Sequence, residues 1–143
     1  MSRLDPYDSL GFHCSLTLKA FKSALDVKLK GTGVSSAQFV ALAHLTALGP
    51  MAQSELADRL SITPATAVRL IDRMERDGWV VRQADPHDGR AKRIILTDRA
   101  TELWDELSQA GRDLLTQAYQ GIDPEEIDTV KKILAQARHN LEG

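Results

Sequence analysis

Cysteine is nearly absent from this chain: Cys14 is the single one in 143 residues. One thiol closes no internal disulfide, so nothing argues for an oxidising compartment. Long apolar runs are lacking too. The most apolar stretch, 39–51, is broken by His44, Thr46, Gly49 and Pro50, short of the ~20 uninterrupted apolar residues that crossing a bilayer requires. The opening MSRLDPYDSL has early acids and no apolar core before a small-residue cleavage site, unlike a secretory signal. Four histidines, His13, His44, His87 and His139, are scattered without metal-ligand spacing. No spacing pairs a nucleophile with a base, or two carboxylates, as an enzyme would need. With 43% apolar and 27% charged residues, the chain reads as one cytoplasmic domain, not an enzyme, with no membrane span and no metal.

Charge becomes informative once it is divided along the chain. The formal net charge of −2 is distributed as +2 over residues 1–50, +1 over 51–97 and −5 over 98–143. The middle segment holds seven arginines: Arg59, Arg69, Arg73, Arg76, Arg82, Arg90 and Arg93. An anionic partner is therefore compatible with the acidic total, provided those arginines converge on one face.

Apolar residues at Tyr7, Leu10, Cys14, Leu18, Phe21, Leu25 and Leu29 recur at three-to-four spacing and predict an amphipathic first helix, ended by Gly31-Thr-Gly33. A second helix is capped by Ser35 or Ser36 and is apolar nearly all round over 39–45, so it should be buried. A short helix over about 54–60 follows Gly49-Pro50. Thr63-Pro64 then supplies an N-cap and a first-turn proline for a helix running to Asp77, closed by Gly78. Its expected inner stripe is Ala67, Leu70, Ile71 and Met74. Ala65, Thr66, Val68, Arg69, Asp72, Arg73 and Arg76 are left outside.

Two short strand-like runs, 79–82 and 93–96, flank the turn-forming Asp85-Pro-His-Asp-Gly89. Thr97 caps a long helix broken by Gly121, and Asp123-Pro-Glu-Glu126 has the order of an N-cap, a proline and a capping-box acid. The last helix carries Ile127, Val130, Leu134, Ala137 and Leu141 as its stripe. The expected fold is mainly α: a winged helix-turn-helix with a small β-wing between long N- and C-terminal helices. In that architecture the second helix of the pair enters the major groove, and the loop between the strands reaches phosphates or the minor groove.

The residues over 53–60, over 66–78, and above all Asp88-Gly-Arg90-Ala-Lys-Arg-Ile-Ile-Leu96-Thr97 resemble the MarR family of bacterial transcription regulators. The last of these matches the family's wing motif, with Gly89 where many members carry a second basic residue. Arg90–Ile94, the following Leu-Thr and Glu125-Glu-Ile127 are most similar to the SlyA branch. The resemblance implies a single MarR-type domain over 1–143, with dimerisation helices at 1–34 and 98–143 and a DNA-binding lobe at 35–97. It implies a homodimer on a pseudo-palindromic duplex DNA operator, acting as a ligand-responsive repressor.

It also implies roles for residues. Ala65, Thr66, Val68 and Arg69 would face the major groove. Arg90 would enter the minor groove braced by Asp88, and Lys92, Arg93 and Arg73 would take phosphates. A cleft between the first two helices and the winged lobe would bind a small aromatic or anionic effector, lined by Lys19, Phe39, Ala43 and Leu70 with Arg69 beside it. No cofactor is implied. Two other readings stand beside this one: an architectural or counter-silencing DNA-binding protein without a ligand, and a redox sensor acting through the Cys14 thiol. Against the latter, Cys14 on the first helix's stripe also reads as a small hydrophobe in the core or a dimer seam.

Overall fold

The computed structural model describes residues 4–143. A single 3-10 turn at Pro6–Asp8 leads into α1 (Leu10–Lys28), followed by α2 (Ser36–Leu48), β1 (Met51–Ala52), α3 (Gln53–Arg59) and α4 (Pro64–Arg76). Two strands, β2 (Val80–Ala84) and β3 (Lys92–Leu96), precede α5 (Asp98–Ala118) and α6 (Pro124–Glu142). The sheet order is β1-β3-β2, antiparallel throughout, with Met51 opposite Ile94 and Arg82 opposite Ile94 from the other side. This is the winged helix-turn-helix expected from the sequence.

Local chemistry sets most boundaries. Ser35 and Gln38 form a reciprocal capping box at the start of α2. Thr63 and Thr97 accept the N–H groups of Thr66 and Ala100, satisfying donors that helices α4 and α5 leave orphaned. Gly78, at φ +84° after α4, turns the chain into the sheet. The core gathers around Leu42, Leu56, Ile71, Met74, Trp79, Val80 and Ile94, all essentially inaccessible. These come from α2, α3, α4, the sheet and Trp79 at its entry, and Leu25 of α1 and Leu107 and Leu114 of α5 join the same cluster.

Several expectations are corrected. Tyr7 lies in the 3-10 turn and not in the first helix, because Pro6 and the Asp5 side chain, which accepts the Tyr7 N–H, start a separate turn. Asp123 does not cap α6 with its side chain; its main-chain carbonyl takes the Glu126 and Ile127 N–H groups instead. The strand β1 was not legible, since two residues offer no alternation to detect. Cys14 is exposed within the chain, so it is not a core residue. Helix α2 is only partly buried: Ala41, Leu42 and Leu45 are inside, whereas Val40 is 40% exposed. His44 is half-buried, and its Nδ1 lies 2.8 Å from the Val40 carbonyl one turn back.

The terminal helices differ from the lobe. Among the residues of α6 none is buried, and Val130, Ile133 and Leu141 are prominently exposed. Only Leu25 is buried within α1. Between α2 and α5, Phe39 stacks obliquely on Trp104 at 5.2 Å, and a Cβ at Gly111 would come within 2.8 Å of the Phe39 ring tip. Glycine at 111 is what lets that ring lie against α5.

Candidate nucleic-acid interface

Helix α4 presents its outer face through Ala65, Arg69, Asp72, Arg73 and Arg76, all exposed, with Val68 40% exposed on one flank. Thr66 is half-buried: its hydroxyl oxygen accepts from Thr63 Oγ1 at 2.9 Å and lies 3.4 Å from an Arg69 amine, steadying the first turn. Leu70 is half-buried on the opposite face. The candidate major-groove residues therefore lie at the N-terminal half of one exposed helix. The arginines continue that face towards its C-terminal end.

The wing is the β2–β3 pair with its connecting loop. Asp88 accepts the Arg90 backbone N–H at 3.0 Å, and Asp85 accepts that of His87 at 2.8 Å. Two-residue spacing folds each carboxylate back on the main chain in an Asx turn. Asp88 thus shapes the loop and does not brace the Arg90 guanidinium as the resemblance implied. Arg90 itself is exposed, as is Lys92. Lys92 and Arg93 are successive residues of β3 and leave the strand on opposite faces. Arg93, half-buried and opposite Ala52 and Gln83, does not share Lys92's side of the wing.

Nothing local in the sequence marks the residue that joins helix to wing. Arg82 of β2 places its Nη1 2.7 Å from Asp72 and 3.2 Å from Glu75, and donates from Nε to Gln53 at 3.0 Å. The Arg82 backbone N–H also donates to Glu75. Asp72 and Glu75 thus pair across to the strand and not with the arginines of their own helix. In the sequence Arg82 is one of seven arginines of the middle segment, and only the fold brings its partners together.

A cleft of about 350 Å³ lies where α1 and α2 meet the lobe, lined by Leu18, Phe21, Lys22, Val40, Leu70 and Leu114 among others. Of the residues expected there, Leu70 is present, whereas Lys19, Phe39, Ala43 and Arg69 do not line it. Helical phase explains the difference. Leu18, Phe21, Lys22 and Leu25 share one face of α1, and Lys19 is turned away from it. On α2 the cleft takes Ser36, Ala37 and Val40, while Phe39 points to Trp104. Among the described residues no group of three or more His, Cys, Asp or Glu side chains could hold a metal ion. No described helix is long and apolar enough to cross a membrane.

Residues 34–92, which span α2, the helix pair and the wing up to the start of β3, match the family model described as MarR family. The chain has the MarR winged-helix fold. A MarR transcriptional regulator from Methanosarcina mazei is 22% identical, with a TM-score of 0.82 over 93% of this chain and 96% of that one. A probable transcriptional regulator from Pseudomonas aeruginosa is 26% identical, with a TM-score of 0.80 over 93% and 99%. A mutant MarR from E. coli complexed with operator DNA is 24% identical, with a TM-score of 0.81 over 90% and 92%. The MarR-type match thus extends in shape well beyond the matched residues, to the helices on either side.

Proposed function

We propose that this chain is a sequence-specific, DNA-binding transcriptional regulator that acts in the cytoplasm as a homodimer on a pseudo-palindromic operator. The observation that carries the reading is one exposed helix face bearing Arg69, Arg73 and Arg76 beside a wing that offers Arg90 and Lys92. A mutant MarR of the same fold is complexed with operator DNA, which supports it. Within the family, the run Arg90–Ile94 followed by Leu96-Thr97 favours the SlyA branch. The homodimer reading rests on the exposed apolar residues of α1 and α6, which a second copy would cover. Selection of duplexes from a random pool tests the whole proposal. A two-fold symmetric site is the expected result, and failure to enrich any sequence overturns it.

Two arginines should fail differently. Arg69→Ala removes a base-reading side chain, so the preferred sequence relaxes by ~1–3 kcal/mol of discrimination. Arg90→Ala weakens all duplexes evenly and lowers the salt slope by about one. Titrations of enriched and scrambled duplexes at several salt concentrations separate the two. An Arg90→Ala protein with unchanged salt dependence would remove the wing from the interface.

We further propose that a small aromatic or anionic effector enters the cleft between α1, α2 and α4 and causes release of DNA, making the protein a ligand-responsive repressor. Among the described residues Lys22 is the one cation of the lining, and the remainder is largely apolar. Leu70 belongs to α4, so a ligand pressed against it bears on the recognition helix. By linkage, DNA must weaken such a ligand by the same factor. Titration of a benzoate-type acid against the protein–duplex complex should give release that Lys22→Ala weakens a few-fold and Lys19→Ala leaves unchanged. No release by any aromatic acid would favour the architectural or counter-silencing reading.

A further inference from the structure

The carboxylates on α4 conflict with the charge that a DNA-facing helix should offer. Asp72 lies three residues after Arg69 and four before Arg76, spacings at which opposite charges pair on a helix surface. An arginine held by its own helix's carboxylate offers less charge to a phosphate. Yet among the described residues neither Arg69 nor Arg73 has an ion-pair partner, and Arg76 meets only the adjacent Asp77, at 3.9 Å. The carboxylates are held elsewhere.

Val68, Asp72 and Glu75, spaced by four and three residues, form one flank of α4, and Arg82 lies along it. Its guanidinium takes Asp72 Oδ1 at 2.7 Å, Glu75 Oε1 at 3.2 Å, Gln53 Oε1 at 3.0 Å and the Val68 carbonyl at 3.4 Å. With its side chain 18% exposed and its nitrogens committed to these partners, Arg82 is poorly placed to be a phosphate ligand. Asp72, by contrast, remains 60% exposed and, without Arg82, is free to swing along the helix.

We propose that Arg82 is a positioning residue that sequesters Asp72 and Glu75, so that Arg69, Arg73 and Arg76 stay available to duplex DNA, Arg69 to base edges and the other two to phosphates. The inference rests on the DNA-binding reading above and adds a residue to it. The same contacts tie the recognition helix to the wing strand, so one side chain serves both the charge and the relative placement of the two DNA-facing parts.

The test uses the full-length chain and labelled duplexes enriched from a random pool, titrated over a salt series with thermal melts alongside. Arg82→Gln should bind about tenfold more weakly and with a shallower salt slope, because an arginine captured by a carboxylate releases no counterion. Adding Asp72→Asn and Glu75→Gln to that variant should restore most of the affinity and the slope; glutamine at 75 still accepts the residue 82 N–H. In the parent background, Asp72→Asn with Glu75→Gln should bind at least as tightly as the parent. This second pair decides the matter even if Arg82→Gln does not fold. Affinity that falls in the Asp72→Asn, Glu75→Gln protein, or a triple variant that stays as weak as Arg82→Gln, overturns the proposal in favour of a purely structural clasp. A parent chain that binds no duplex removes the DNA-binding reading and this inference with it. A parent that binds while Arg82→Gln binds equally well removes this inference alone.

Discussion

Trp79→Ala should destabilise the protein by ~3–5 kcal/mol, the cost of deleting a large side chain from a core that only partly collapses. Trp79 is 1% exposed and sits where α4 turns into the sheet. Its backbone N–H donates to Met74, its carbonyl accepts from Thr97, and the Arg99 guanidinium lies 4.1 Å from its ring centroid. Among the described residues the buried indole Nε1 finds no hydrogen-bond partner. Trp79→Phe keeps much of the apolar ring and deletes that orphaned donor, whose burial costs ~1–3 kcal/mol. Phenylalanine should therefore be tolerated far better than alanine. Chemical denaturation of the three proteins checks this; equal losses for Phe and Ala would mean that the indole N–H contributes through a partner of its own.

Replacing both Val130 and Ile133 with aspartate should abolish the proposed dimer while leaving the single chain folded. Each is about half exposed in the chain, so their substitution disturbs no intrachain core. In an interface they would place unpaired carboxylates among apolar groups, a large penalty. Two half-sites held by linked lobes bind ~10²–10⁴ times more tightly than either alone, so DNA affinity should fall by that order. Sedimentation and duplex titration report the two effects separately. A double variant that remains dimeric would move the seam away from α6, and a parent that is already monomeric would end the homodimer reading.

What the sequence revealed and what it hid follow from the range of the interactions. The caps at Ser35, Thr63 and Thr97 were legible because each acts on donors within three residues. The helix pair and the wing were legible in outline through those caps, Gly78 and the turn residues of 85–89. Arg82 was not, because its contact to Gln53 spans 29 residues, and no local rule selects one arginine among seven. The cleft went astray for another reason. A helix apolar on nearly every side has no phase, so Phe39 and Ala43 could be assigned to the wrong face of α2. The amphipathic stripe of α1 did carry a phase, and following it from Leu18 through Phe21 to Leu25 would have selected Lys22 over Lys19. The Asp88–Arg90 brace did not form, because at two-residue spacing the carboxylate takes the nearer donor, the Arg90 backbone N–H, and not the guanidinium.

On the homodimer reading, the bare surface of α6 would tie DNA binding by this protein to gene dosage. No residue of that helix is buried within one chain. On the homodimer reading, the DNA-competent species below the dimer dissociation constant grows with the square of chain concentration. Halving synthesis would then cut the active form about fourfold in that range. On the same reading, occupancy of its DNA sites would follow its own abundance, and dilution at cell division alone would shift it.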